Sequence, residues 1–156
     1  MIQCLRVDDR LLHGQVITKW ITTYDPDAIV IADDKTVNDT VAKMALRVAK
    51  PAGMKMSIRS VDDAIQLFQS EKTSTMKLFV LVKDTESAKR IAEKVQVETL
   101  NIGGIRCQDQ NAKVIAGVVK VTDQDIENIK ILNSLVEEVD IRTVPSEKKK
   151  NVMNLI

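Results

Sequence analysis

Aromatic side chains are scarce in this sequence: 3% of its 156 residues, with one Trp, one Tyr and two Phe. The core must therefore be built from Val, Ile, Leu, Ala and Met. Neither acidic nor basic residues are in clear excess, with 23 Lys and Arg against 22 Asp and Glu. A formal net charge of +1 gives no bulk attraction to nucleic acid or to an anionic membrane, so any bound phosphate must be held by local placement of charge. A single histidine excludes a multi-histidine metal site. The two cysteines, Cys4 and Cys107, form neither a CxxC nor a zinc spacing, and two quiet thiols in a reducing compartment are the simplest reading. No apolar run reaches the ~18 residues of a membrane-crossing helix. The opening MIQCLRVDDR has acids where a signal peptide has its apolar stretch, which predicts a cytoplasmic protein. Neither G-x-G-x-x-G nor G-x-x-x-x-G-K-[ST] occurs, so a nucleotide-binding domain ranks low and no cofactor is expected.

What is present is an ordinary globular mix, 44% apolar and 29% charged, in a length that suits one domain over residues 1–156. Short β-rich runs alternate with helical patterns. Strands are predicted at Ile2 to Val7, Ala28 to Ala32, Lys55 to Ile58, Lys77 to Val82, Thr99 to Ile102 and Asp140 to Val144. AIVIA and KLFVLV are continuous apolar runs, as in strands buried on both faces. Gly103-Gly104 is read as the stop of its strand. Lys113 to Lys120 is predicted to be extended, with a bend or bulge at Gly117. Helices are predicted at Gln15 to Thr23, with Val16, Ile17 and Trp20 on one side, and around Val41, Met44, Ala45 and Val48, an i, i+3, i+4, i+7 stripe ended by Pro51 and Gly53. A third begins at a Ser60/Asp63 capping box and runs through Phe68. A fourth carries Ala88, Ile91, Ala92 and Val95. A fifth is capped by Thr122 and Asp125, with Ile126, Ile129, Leu132 and Val136 inward. Pro145 is read as opening a short helix that carries Lys148 to Lys150, Val152 and Leu155. Such alternation implies an α/β fold, an open and mainly parallel twisted sheet with helices on both faces. Ligands in such folds sit beyond the C-terminal ends of the strands.

Chemistry concentrates in RVDDRLLHGQV, Arg6 to Val16, which starts as a strand and ends as a helix. Its turn holds Asp8, Asp9, Arg10, His13, Gly14 and Gln15. A helix N-terminus favours an anion through its free N–H groups and dipole. Gly14 permits close backbone approach. Arg10 offers paired donors to phosphate oxygens. Asp8 or Asp9 has the means to hold the imidazole in one tautomer or to orient Arg10. Phosphoryl transfer asks mainly for position and complementary charge, and histidine has precedent as a covalent nucleophile. A lone loop histidine is more often a surface or capping residue, and Arg10 with an acid is also a common structural pair. By themselves these residues support an anion-binding turn.

RVDDRLLHGQVITKW, Arg6 to Trp20, closely resembles the signature of the EIIB subunits of mannose/fructose/sorbose phosphotransferase systems, R-[IV]-D-D-R-L-[IL]-H-G-Q-V followed by a tryptophan. The likeness continues at Asp33 and Asp34 to Asn38 and Asp39, at Pro51, at the Lys77 to Asp84 strand end and at NIGGI from Asn101 to Ile105. Lys35 to Val37 is less typical. The resemblance implies an open, mainly parallel α/β sheet and a PEP-dependent phosphoryl carrier at the inner face of the membrane. It implies phosphate accepted on His13 from an EIIA subunit or domain. It further implies transfer to a sugar of the mannose, fructose, sorbose or N-acetylhexosamine class entering through EIIC and EIID, the activity of a protein-N(pi)-phosphohistidine–sugar phosphotransferase. Arg10 falls on the family's phosphate-loop arginine, Asp8 and Asp9 on its loop acids, Gly14 and Gln15 on the start of its first helix. The alternative within the family is a regulatory phosphohistidine module that binds a partner without phosphorylating sugar.

Further residues border the expected crevice. Asp33 and Asp34 follow a strand and suit helix capping or a polarised rim. Lys83 offers either phosphate neutralisation or a solvated strand end. Gly103 and Gly104 either admit a phosphate or a partner loop, or form a plain turn. Cys4 is expected to be a small buried hydrophobe, Trp20 a packing residue, and Lys148 to Lys150 a solvated face.

Overall fold

The computed structural model describes the backbone of residues 1–156 and every side chain except those of Gln15 and Val16. Its strands are β1 (Ile2–Asp8), β2 (Ala28–Ala32), β3 (Lys55–Arg59), β4 (Leu78–Val82), β5 (Val97–Arg106), β6 (Lys113–Ala116), β7 (Val119–Val121) and β8 (Glu138–Ile141). Its helices are α1 (Gly14–Tyr24), α2 (Thr40–Ala49), α3 (Val61–Gln69), α4 (Thr85–Ala92) and α5 (Asp123–Leu135). The sheet runs β3-β2-β4-β1-β5 with β8 on β5, all parallel; β7 pairs with the last residues of β5, and β6 is antiparallel to β7. Right-handed crossovers require helices to change face where the chain changes direction across the sheet. Accordingly α1 and α2 share a core with Cys4, Ile29, Ile31, Phe79 and Leu81. On the opposite face, residues of α3, α4 and α5 pack with Leu5, Val30, Val80 and Leu100. The first connection leaves β1 toward β2, whereas those after β4 and β5 lead the other way. The C-terminal ends of β1 and β5 therefore flank a switch point, the usual crevice of an open α/β sheet.

Local chemistry explains most elements. β2 and β4 are buried at every position, as their unbroken apolar runs require. Thr122 and Asp125 form the reciprocal capping box of α5. Ser60 caps α3 by accepting from Asp63 N, one half of the box expected there. Ile129, Leu132 and Val136 are buried as expected, and Ile126 is half-buried.

Five local readings need correction. β5 does not stop at Gly103-Gly104; it continues in extended form to Arg106, because those glycines make room for side chains and do not turn the chain. Lys113 to Lys120 is a hairpin, β6 and β7, reversed at Gly117 with φ +48°. β8 ends at Ile141, since the Arg142 and Thr143 carbonyls accept from side chains instead of a ladder. No helix starts at Pro145; Asn151 bridges to Asp140, and a single helical turn spans Val152–Asn154. Finally, the stripe Val41, Met44, Ala45 and Val48 of α2 faces solvent, with Val48 86% exposed, while Leu46 is the residue that enters the core. Periodicity identifies a helix with an apolar face but does not say what covers it.

Candidate functional site

The turn from β1 into α1 sits at the switch point, and its geometry starts from Asp8, the fully buried last residue of β1. Asp8 Oδ2 lies 3.2 Å from His13 Nε2 and accepts from Arg6 Nη2 at 3.1 Å. Oδ1 accepts from Arg10 N at 3.1 Å and faces Arg106 Nη1 at 3.6 Å and Arg10 Nε at 3.7 Å. Burial pushes the carboxyl of Asp8 upward, but the Arg10 N–H, the charge of Arg6 and the contact with His13 outweigh it and hold Asp8 below the usual carboxylate range. An ionised carboxylate only accepts, so His13 Nε2 is the protonated nitrogen. Nδ1 then carries the free lone pair, the form needed for attack on phosphorus.

Arg6 supports this arrangement from below. It is 1% exposed, and burial lowers its pKa while Asp8 opposes that shift. Both terminal nitrogens are engaged: Nη1 donates to Asn101 Oδ1 and to Arg142 O, and Nη2 to Asp8 Oδ2 and to Thr143 O, the two carbonyls at 3.3 Å each. Asn101 passes the network on to Asp140, which also binds Arg142. The Arg6 guanidinium lies 4.9 Å from the Trp20 ring and that of Arg142 lies 5.2 Å from the same ring, within cation–π range. Trp20 donates to Thr143 O at 2.8 Å. The tryptophan is thus packing, as expected, and it also anchors two cations.

The predicted loop residues divide into distinct roles. His13 is the N-cap of α1 in extended conformation, no side chain among the described residues caps that end, and the ring is 21% exposed. Gly14 adopts φ +45° with open space around its Cβ direction, so backbone conformation demands glycine there and the approach to the helix end is clear. Arg10 is 45% exposed and has no direct hydrogen bond from its guanidinium among the described contacts. Asp8 holds the imidazole. Asp9 does neither job proposed for it: it accepts from Arg106 N at 2.6 Å and pairs with Arg106 Nη1. Gln15 lies outside the described side chains.

The rim residues separate. Asp33 and Lys83 meet at 3.9 Å at the ends of β2 and β4, with Asp33 also accepting from Thr36 N and Oγ1. Asp34 accepts from Val61 N at the start of α3 and pairs with Arg90. These acids thus hold backbone N–H groups at the first residues of helical turns and pair with cations, and none of the described polar contacts joins them to His13. Gly103 and Gly104 do border the site, through arginines: a Cβ on Gly103 would collide with the Arg6 guanidinium, and one on Gly104 would stand 2.8 Å from Arg106 Nη1. Asp9 N donates to Gly104 O at 3.0 Å, joining the turn to β5. Arg6 and Arg106 are the functional neighbours that sequence reading missed. A charged residue within an otherwise buried strand, and adjacent glycines followed by an arginine two residues on, were the available signals.

Three guanidiniums (Arg6, Arg10, Arg106) against two carboxylates (Asp8, Asp9) leave the turn positive by one before His13 is counted. An anion meeting Nδ1 would find the exposed Arg10 and an uncapped helix start. Among the described residues no helix is long and apolar enough to cross a membrane.

The family model described as "PTS system sorbose subfamily IIB component" matches residues 2–156. The sorbose-specific EIIB component of Klebsiella pneumoniae is 32% identical over 99% of this chain and 94% of its own length. The mannose-specific EIIAB component of Escherichia coli is 30% identical over the whole chain, which spans 48% of that protein. The crystal structure of the sorbose permease IIB domain from Klebsiella pneumoniae superposes with a TM-score of 0.92, covering 99% of this chain and 94% of that one at 32% identity.

Proposed function

The chain belongs to the sorbose subfamily of phosphotransferase-system IIB components, and from that premise we propose that it accepts a phosphoryl group on His13 Nδ1 from an EIIA phosphohistidine and delivers it to a sugar. In the first step the P–N bond of the donor breaks as a P–N bond to Nδ1 forms, while the Nε2 proton stays on the Asp8 hydrogen bond. In the second step that bond breaks as a sugar hydroxyl oxygen bonds to phosphorus, and the hydroxyl proton leaves to water. Arg10 is the cation that reaches the transferring oxygens, because it is the loop guanidinium with free donors and solvent access. The sugar enters through EIIC and EIID, with the carrier working at the cytoplasmic face.

The observation that carries this reading is the 3.2 Å contact between His13 Nε2 and an ionised, buried Asp8. It prepares one nitrogen of the chain's single histidine for attack. The mannose EIIAB relative joins a region named for EIIA to one resembling this chain, which supports EIIA as donor. The relatives described above are named as sugar-specific PTS components and a permease domain, and the regulatory reading gains nothing from them. The test is incubation with phosphorylated EIIA, followed by mass spectrometry. Wild type gains one acid-labile, alkali-stable phosphate on His13, His13→Ala gains none, and Arg10→Ala is labelled at least tenfold more slowly with an unchanged melting temperature. Labelling of His13→Ala at the wild-type level rejects the assignment.

A further inference from the structure

The β1–α1 turn carries a backbone conformation that its own sequence does not favour. Leu11 sits at φ +57°, a left-handed value that is unfavourable for a bulky L-residue and persists only where the surroundings over-determine it. Burial of Leu11 and Leu12 supplies part of that constraint. The hydrogen bonds Leu11 N to Asp8 O and Arg10 N to Asp8 Oδ1 supply another part, but they are internal to the turn. What fastens the turn to β5 is Asp9: its N–H bonds Gly104 O, and its carboxylate receives both the N–H and the guanidinium of Arg106. The same guanidinium faces Asp8 Oδ1 at 3.6 Å, so one side chain touches both consecutive acids. It lies across Gly104, whose missing side chain leaves it space.

We propose that Arg106 is a positioning residue for phosphoryl transfer: by clasping Asp9 to the end of β5, it sets the turn so that His13 Nε2 rests on Asp8 and Nδ1 faces outward. The proposal rests on His13 being the acceptor. In this assignment Arg106 acts through Asp9: its N–H and Nη1 are given to that acid, and Nη1 also faces Asp8. Removal of the clasp lets the turn relax toward ordinary backbone angles and frees a carboxylate beside the incoming anion. Geometry errors near 1 Å at a reacting centre cost up to about a hundredfold in rate.

A small chemical donor isolates the turn from partner docking, so the probe is phosphoramidate with the full chain, and the readout is the rate of His13 labelling. Arg106→Gln, Asp9→Ala and Gly104→Ala are each expected to slow labelling by roughly ten- to a hundredfold. Gly104→Ala retains every charge and displaces only the guanidinium, so it separates position from charge. Arg106 and Asp9 form one unit, so the double variant loses no more than the slower single variant. Arg106→Lys recovers part of the rate. Nitrogen NMR of the imidazole reports the tautomer directly, and the Nε2-protonated fraction falls in Arg106→Gln and in Gly104→Ala while their melting temperatures stay near wild type. Wild-type rates in Arg106→Gln and Gly104→Ala, with wild type labelled on His13, overturn the clasp alone. A slow Arg106→Gln beside a wild-type Asp9→Ala also overturns it, because Arg106 then acts on the phosphoryl group directly. Wild type that takes no phosphate on His13 overturns the carrier reading and the clasp with it.

Discussion

Replacing Gly103 by alanine tests whether Arg6 is as tightly set as the structure requires. The backbone at Gly103 is ordinary extended strand, so alanine introduces no conformational strain, and its one added carbon coincides with the Arg6 guanidinium. Arg6 is held against the shift: it is fully buried, bonded to Asp8, Asn101 and two carbonyls, and stacked on Trp20. Displacing it leaves the Asp8 carboxylate buried without its buried charge partner, a defect that costs about 3–5 kcal/mol. At roughly 2–4 °C per kcal/mol for a chain of this size, the melting temperature falls by roughly 6–20 °C. Gly104→Ala is the internal control. Its added carbon meets the end of Arg106, which is 32% exposed and free to swing outward, so its stability stays within about 1 kcal/mol of wild type. Urea unfolding of both variants, with equal m-values to establish two-state behaviour, gives the comparison. Gly103→Ala within about 1 kcal/mol of wild type, or equal losses in the two variants, refutes the packing argument.

Acid titration addresses Asp8. Its folded pKa lies below the ordinary carboxylate value, so its stabilising contribution is complete above about pH 4, the unfolded value, and is lost as pH falls through the folded one. Asp8→Asn is less stable at neutral pH and shows a shallower loss of stability below about pH 4 than wild type; parallel slopes in denaturant midpoints against pH contradict this. Thiol labelling addresses the core. Cys4 is buried in β1, and burial pushes its thiol up to about 12, whereas Cys107 is partly exposed. A chromogenic disulfide reagent near pH 8 therefore titrates one thiol in the native chain and two after denaturation. Two fast-reacting thiols in the native protein count against the assigned burial.

Much of this architecture is legible in sequence because single-element physics decides it. AIVIA and KLFVLV have no polar face to offer water, and Thr122 with Asp125 closes the start of α5 by itself. Legibility fails where a distant residue decides. Gly103-Gly104 looks like a stop until Arg6 and Arg106 are seen in the places of their side chains. The strand around Asp140 ends early because Arg6 and Trp20 claim the next carbonyls. The apolar stripe of α2 is visible, but its outward direction is set by Leu46 and by the neighbouring core. In the site, Asp8, Arg10 and His13 are neighbours in sequence and are easily grouped. The partner of Asp9 is 97 residues away, and nothing local to the turn reveals it.

Trp20 between its two guanidiniums has a consequence for how a relay component behaves. Its target atom has to serve in both a loading and an unloading encounter, with visitors of different shape. If His13 is the acceptor, as proposed, its imidazole's bearing comes from beneath, from buried Asp8 and Arg6 of β1 with Arg6 seated on Trp20, so a newcomer finds it already aimed. Neither encounter has to spend binding energy on arranging it.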